Sequence, residues 1–517
     1  MSLQDLVLDK SNDEDMSMFI QSQTLEPITI NSSTAKFIIP NEGILSRDSY
    51  FQFELKAGKA GGFLPIGSGI FSLIRRAELR VGSQRIAVQD NMAIFRSITK
   101  SYDTPSYRNN YTKFMNGINT TVVPNPTGSL TVTTGNGNAG LLQPAGAVPL
   151  ITDFTQQELP YELELSTDEA LTPSFSIKLA DLFPILGDGG LELPCFLIKN
   201  PIEILLTFNK QSTGTDVVSP NAYGSLACFT SGPGATATAE LVLDKCLLFS
   251  DHLYYTDTRM FAIEESMNAN KGMALLYTDL ISVVNNQPAF ALGTATTTTS
   301  QNFIFQIPIS NYSVKNLFTC WNCKDYSGLQ GALPAEIGAF SNKLLGKYAL
   351  MNSARPYEIN VRINDELHYP QKLISNALKF NECEYCYGSP PCLSAGIYSF
   401  NGSNNATGGF VFQENNSGFF TNEVGVNYKF YDTIHLARNL TGSLHFLGIN
   451  VSNMYGDDNR DTILVNQKPV ELDVTWFNNA DSNLELNNFT FAEVVKMFSM
   501  KDGEIVIQDQ VNQIQVQ

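Results

Sequence analysis

The chain of 517 residues is 43% apolar and only 16% charged, where an average soluble protein carries about 25% charge. Its polar surface must come from Asn, Ser, Thr, Gln and Gly, which excludes a coiled-coil or long-helix protein and a disordered chain. Lys and Arg number 33 against 51 Asp and Glu, and the resulting net charge of −18 repels phosphate backbones and argues against generic nucleic-acid binding.

The first 16 residues carry Asp5, Asp9, Asp13, Glu14 and Asp15 with scattered Leu and Met. They have neither a basic n-region nor an apolar h-region, so they read as an arm and not a signal peptide. Strand patterns then dominate. Residues 51–57, 76–81, 160–165, 173–180, 202–208 and 240–249 alternate or nearly alternate, and so do 303–309, 357–363 and 470–477. Period-two alternation of Val, Ile, Phe and Tyr marks half-buried strands. Helical signals are few: 69–76, 91–102 and 488–500, the last with Asn488 or Thr490 as its cap. Many strands with few helices imply a sandwich or barrel. No run of about 18 apolar residues is present.

Internal repetition is the most informative feature. Asn200–Phe208 matches Lys468–Trp476 with Pro, Glu and Thr identical, a displacement of 268 positions (200 to 468). Phe37–Pro40 matches Phe305–Pro308 at the same displacement (40 to 308). Between them, Glu78–Val81 before a Gly82-Ser83 turn matches Glu358–Val361 before an Asn364-Asp365 turn, a displacement of 280 (78 to 358). Both turns suit two-residue hairpins, which need positive φ. Three matches in one order imply two tandem copies of one β domain, with a boundary near 250–265. Long, weakly charged tracts separate the strands at 124–147, 212–239, 293–302 and 401–418. Such long loops are functional or flexible in compact domains, and here they would gather as a tower at one end of each sandwich.

Chemical motifs are sparse. Gly135–Gly140 spells G-x-G-x-x-G, but Pro144 and Pro149 follow and no strand-to-helix context surrounds it, so it reads as a loop. Only His252, His368, His435 and His445 are available for acid–base work. They do not cluster along the chain, and catalytic, cofactor and metal residues are therefore expected to be none. Cys320-x-x-Cys323 and Cys383-x-x-Cys386 have zinc-knuckle spacing, with Cys392 nearby. The interval between the pairs is far longer than the usual 15–20 residues or so. Structural zinc and a late disulfide stay open, beside the simpler reading of reduced, separately packed thiols. Asp457, Asp458 and Asp461 read as a solvated turn, because the EF-hand Gly and terminal Glu are missing. Arg75, Arg76, Arg80 and Arg85 read as solvated positions of a hairpin. The ten N-x-Ser/Thr sequons, Asn31 and Asn488 among them, read as a by-product of composition.

The repeated strand x-Pro-[Ile/Val]-Glu-[Ile/Leu]-x-[Leu/Val]-Thr, the segment at 74–86 and the segment at 357–370 with Tyr369-Pro370 resemble the double jelly-roll major capsid proteins of icosahedral double-stranded DNA viruses. Those of polinton-like viruses and virophages are the most similar. The resemblance spans about residues 27–480. It implies an all-β chain of two eight-stranded jelly rolls with short helices and long loops. The expected layout is an arm at 1–26, rolls at 27–257 and 258–487, and a C-terminal helix with a terminal strand or arm at 488–517. The implied function is assembly without chemistry: homotrimeric, pseudo-hexagonal capsomers tiling a shell. Neighbouring capsomers, penton and minor capsid proteins and an inner membrane are the implied partners, with no sequence-specific nucleic acid and no cofactor. The implied location is the virion, after synthesis inside the host cell. A jelly-roll carbohydrate-binding or attachment protein, built on Trp321 or Trp476, and a scaffold absent from the mature virion are the rival readings.

Overall fold

The structure, a computed structural model, describes residues 18–31, 34–57, 62–64, 69–100, 112–117, 131–133, 148–150, 163–165, 174–187, 192–208, 241–269, 273–288, 300–323, 358–373, 378, 382, 386, 398–400, 412–414, 446–451, 463–465, 468–477, 486–501 and 503–508. Among these, the first half contributes eight principal strands. They are β1 (Phe19–Leu25), β2 (Thr34–Ile39), β3 (Tyr50–Ala57), β4 (Ile74–Val81), β5 (Gln84–Asp90), β6 (Ser174–Lys178), β7 (Ile202–Phe208) and β8 (Leu241–Tyr254). The second half contributes β9 (Met273–Gln287), β10 (Ser300–Ile307), β11 (Ser313–Cys323), β12 (Glu358–Ile363), β13 (Glu366–Leu367), β14 (Phe446–Asn450), β15 (Val470–Phe477) and β16 (Leu486–Lys501).

Hydrogen bonding orders the first set as β1-β8-β3-β6 and β2-β7-β4-β5, and the second as β9-β16-β11-β14 and β10-β15-β12-β13. Every ladder is antiparallel. Adding eight to each label converts the first pattern into the second. This is the jelly-roll order, two Greek keys folded into a sandwich, and it occurs twice. The sequence drives it through alternation. β7 reads buried and half-buried by turns from Ile202 to Phe208, which places Ile202, Ile204 and Leu206 in the core at 0% exposure.

Alternating strand directions place the connections. Those after β3, β5 and β7, and after β11 and β13, leave from one end of their sandwich. The ladder of Leu163–Leu165 with Gly62–Leu64 ties two of these long connections together. Short turns lie at the other end: Gly82 (φ 58°), Asn364 (φ 52°) and Asp365 (φ 70°) are left-handed there, as two-residue hairpins require. Helix α2 (Asp257–Ala269) leads from β8 to β9 at that end. It starts with Asp257 in the first turn, where the helix dipole favours negative charge.

Four expectations change. Residues 488–500 are not helical: they lie within β16, the eighth strand of the second roll. Phe489, Phe491, Ala492, Val494 and Val495 are all buried, because this strand is covered on both faces, and such a run lacks the alternation that separates strand from buried helix. Asn488 caps nothing there; it is 0% exposed, so its sequon is internal. Residues 69–76 form a short 3-10 turn, Gly69–Leu73, running into β4. Residues 19–25, assigned to an arm, are β1 of the first roll. Glu504–Gln508 is not the eighth strand of the second roll; it folds back on β16 of its own chain, Met497 opposite Gln508, and residues 509–517 lie outside the described residues.

The middle repeat match also shifts. Glu203 pairs with Arg80 and its repeat mate Glu471 pairs with Arg362, so the true displacement there is 282 (80 to 362) and not 280. A two-residue slip keeps every side chain on the same face of a strand, so burial pattern alone does not detect it.

Candidate functional site

The two rolls meet through a built interface. Helix α1 (Met92–Lys100) follows β5, opening at Asn91, whose φ of 57° turns the chain sharply. Arg96 anchors α1 to its own roll: its Nε donates to the Asp181 carbonyl oxygen at 2.7 Å, and its guanidinium lies 5.7 Å from the Phe95 ring centroid. Phe95, on the adjoining turn, is thereby presented to the second roll. Its ring lies 5.7 Å from Phe318 of β11 and 5.3 Å from Phe491 of β16. All three rings are at most 5% exposed, and burial of each stabilises the contact by about 1.5–3 kcal/mol.

Polar contacts fix its register. Tyr277 of β9 donates its hydroxyl to the Ile86 carbonyl at 3.2 Å. Asn91 Nδ2 donates to Ser282 Oγ at 3.0 Å. Asp279, 3% exposed, accepts from Gln89 Nε2 of the first roll at 2.8 Å and pairs with Lys496 Nζ of β16 at 2.8 Å. Burial raises the Asp279 carboxyl above its ordinary value, and the Lys496 charge opposes that rise. At the short-turn end, the Lys199 amide donates to the Gly503 carbonyl at 3.3 Å, joining the first roll to the hairpin after β16. One apolar cluster includes core residues of both rolls.

The interface is asymmetric. The outward face of β9-β16-β11-β14 receives α1, whereas on the matching face of the first roll, β1-β8-β3-β6, no counterpart of α1 stands among the described residues. That face carries Tyr50 stacked on Phe249 at 5.0 Å, the Lys245–Glu54 pair at 2.9 Å and Gln52 donating to Ser174 at 2.7 Å. In the second roll, Leu378, Glu382 and Cys386 are helical after β13, as α1 is after β5. Leu378 is 48% exposed, and Glu382 accepts from the Tyr369 hydroxyl at 2.6 Å.

The arginines are more organised than solvated hairpin positions. Glu78, 4% exposed, sits beneath Arg76 Nε at 2.6 Å, Arg85 Nε at 3.6 Å and the Arg80 guanidinium. Burial raises its carboxyl, but the Arg80 hydrogen bond and the charges of Arg76, Arg80 and Arg85 prevail and hold it below its ordinary value.

The other candidates separate. Cys320 is fully buried in β11 and Cys386 is half-buried on the helical segment; the side chain of Cys323 and all of Cys383 and Cys392 lie outside the described residues. Among the described residues no three His, Cys, Asp or Glu side chains gather as a metal site. Burial pushes the thiols of Cys195 and Cys246 up to about 12. His252 is buried in β8, and His368 Nε2 lies 2.9 Å from the Asn450 carbonyl oxygen. Trp321 is 1% exposed and packs on Phe305, ring centroids 6.4 Å apart, so it is core and presents no face to a sugar; the Trp476 side chain is not among those described. Residues 135–140, Asp457, Asp458, Asp461, His435 and His445 lie outside the described residues. The interface itself had no signature in the sequence beyond the helical pattern at 91–102.

No family model matches the chain, and no curated protein matches it. Solved structures do. PBCV-1 VP54, fitted into a reconstruction of the virophage Sputnik, superposes with a TM-score of 0.52 at 12% identity, over 96% of this chain and 97% of that one. A chain of the Sputnik virophage structure gives 0.51 at 9% identity, over 100% and 95%. The PBCV-1 virus capsid gives 0.50 at 13% identity, over 96% and 97%. Identities this low speak to architecture alone, and the coverage is that of the whole chain: this is an all-β protein of two tandem jelly rolls, sharing its fold with chains of the PBCV-1 capsid and the Sputnik virophage.

Proposed function

We propose that the chain is a major capsid protein whose copies close head to tail, three to a ring, and that these pseudo-hexagonal capsomers tile the icosahedral shell of a double-stranded DNA virus. The observation that carries this is the asymmetric contact between the rolls. A heterologous contact leaves one donor and one acceptor surface unused, and it builds a ring when its rotation closes. The unused acceptor is the outward face of β1-β8-β3-β6. The donor would be the stretch after β13, where Leu378 is helical and 48% exposed. If each contact turns the chain by the same angle, six rolls from three chains complete the circle. The protein then works by assembly and not by catalysis, and resides in the virion shell. Penton and minor capsid proteins would border the capsomers, and an inner membrane would lie beneath.

Sedimentation and negative-stain microscopy of the purified protein test this. The expected particle has a hexagonal outline and a mass near three times the chain's 56.9 kDa. Leu247→Glu, on the free face, should leave folded monomers. Monomers alone from the unsubstituted protein at high concentration would sink the reading.

A further inference from the structure

We propose that the first strand of roll one is an acid-released latch, with His252 as its sensor. β1 is an edge strand, and Phe19, Ile20, Gln21 and Ser22 are all exposed. It is held by its ladder to β8, by Phe19 stacked on Tyr254 at 5.0 Å, and by two side-chain bonds to carboxylates. Ser22 Oγ donates to Asp251 Oδ1 at 2.6 Å, and Gln23 Nε2 donates to Glu42 Oε1 at 2.6 Å.

His252 stands opposite Gln21 of this strand in the ladder, at 0% exposure. Its Nδ1 is 2.7 Å from the Glu42 carbonyl oxygen. A carbonyl only accepts, so Nδ1 carries the proton and Nε2 the lone pair. Nε2 is buried and has no hydrogen-bond partner among the described residues. A second proton would therefore create a buried cation with a donor aimed at no acceptor, which costs far more than the neutral ring. The charged groups acting on the imidazole are Glu42 from the 41–43 turn and Asp251 from its own strand; Tyr254, two residues along, lies in turn near Glu42 and Cys195. β1 offers neutral Gln21 and Gln23, and Ile44–Leu45 offers apolar side chains. The turn lies tight against β8: a Cβ on Gly43 would lie 3.1 Å from His252 Cβ and 3.0 Å from Tyr254 Cζ.

Burial pushes the imidazole below its ordinary value of 6.5, against the opposing influence of the Glu42 carbonyl and the Glu42 and Asp251 charges. The unfolded strap takes up a proton that the folded one resists. Stability from this site is thus complete above about pH 6.5 and declines as pH falls below it. In the second roll the strand flanked by β9 carries Phe498, opposite Leu275 of β9 and Ile507 of the terminal hairpin, a side chain that cannot take up a proton.

Hydrogen exchange of the intact protein, corrected for intrinsic rates, tests the latch. Between about pH 7.5 and 5.5, protection of residues 19–25 should fall about tenfold, while that of 273–287 should hold. In His252→Gln, which keeps a donor for Glu42 without a titrating ring, the pH dependence at 19–25 should vanish. Unchanged protection of 19–25 in the unsubstituted protein would overturn the proposal. So would an equal loss in both rolls, or a pH dependence that survives His252→Gln.

Discussion

The two rolls share one topology and differ in what their equivalent positions carry. On the β2-β7-β4-β5 sheet, Arg76 faces Asp90 across the ladder at 3.9 Å. With the displacement of 282, the same positions in the second roll are Glu358 and Lys372, at 4.0 Å with the charges exchanged. Glu78 beneath three arginines corresponds to Asn360, which donates to the Tyr369 carbonyl at 3.1 Å. The outward faces of the other sheets differ more: Phe318, Phe491 and Phe489 in the second roll, against Gln52, Glu54 and Lys245 in the first. A fold can thus be copied whole while each copy acquires its own surface. The aromatic face is sealed within the chain, and the polar face is one that water can solvate.

The comparison breaks most sharply at Phe95. Phe95→Ala empties the aromatic contact between rolls and should cost about 3–5 kcal/mol. Chemical denaturation should then resolve into two transitions where the unsubstituted protein shows one; a single unshifted transition would mean that the rolls are not coupled through α1.

Glu78 sharpens the contrast within the sheets. Glu78→Gln strips the carboxylate from three guanidinium groups and should cost about 1.5–3 kcal/mol near neutral pH. Because the folded carboxyl sits below its ordinary value of 4.5, its contribution is present above about pH 4.5 and disappears as pH falls through the lower folded value. The difference between the two proteins should therefore shrink in acid. Asn360→Ala in the second roll should show no such dependence, and denaturant titrations at several pH values compare the pair.

The smallest effect concerns the seam at the short-turn end. Gly503 has φ 78°, and a Cβ there would stand 2.7 Å from Lys199 Cγ and 3.0 Å from the Leu197 carbonyl oxygen. Gly503→Ala should cost about 1–2 kcal/mol from backbone conformation. The left-handed turn at Gly82 is less crowded, with its nearest neighbour at 3.3 Å from the Asn200 side chain, so Gly82→Ala should cost less. Thermal melts of both variants rank the two turns; equal shifts would show that crowding against Leu197 and Lys199 contributes nothing.

Much of this architecture was legible in the residues, for identifiable reasons. Strands buried on one face, such as β7 and β15, announce themselves by alternation, and their shared Pro-x-Glu pattern exposes the duplication. β16 does not alternate because α1 covers its second face, so a long-range contact erased the local signal. The two-residue shift between β4 and β12 is silent because a strand repeats every two residues. His252 was unremarkable in sequence, since its burial and its idle Nε2 arise only where β8, the 41–43 turn and β1 converge. The arginines were visible, but the buried carboxylate that collects them was not.

β16 stands at the centre of its sheet, between β9 and β11, yet it is nearly the last of the described strands to be synthesised. Domains generally fold as units as the chain emerges from the ribosome. The first roll can close once residue 254 is out, but the seat for α1 does not exist until residue 501 follows it. A prematurely terminated chain therefore offers a finished first roll whose α1 has nothing to lean against. The position of one strand in the sheet order thus acts as a length check: only a chain read through β16 can bury Phe95 of α1.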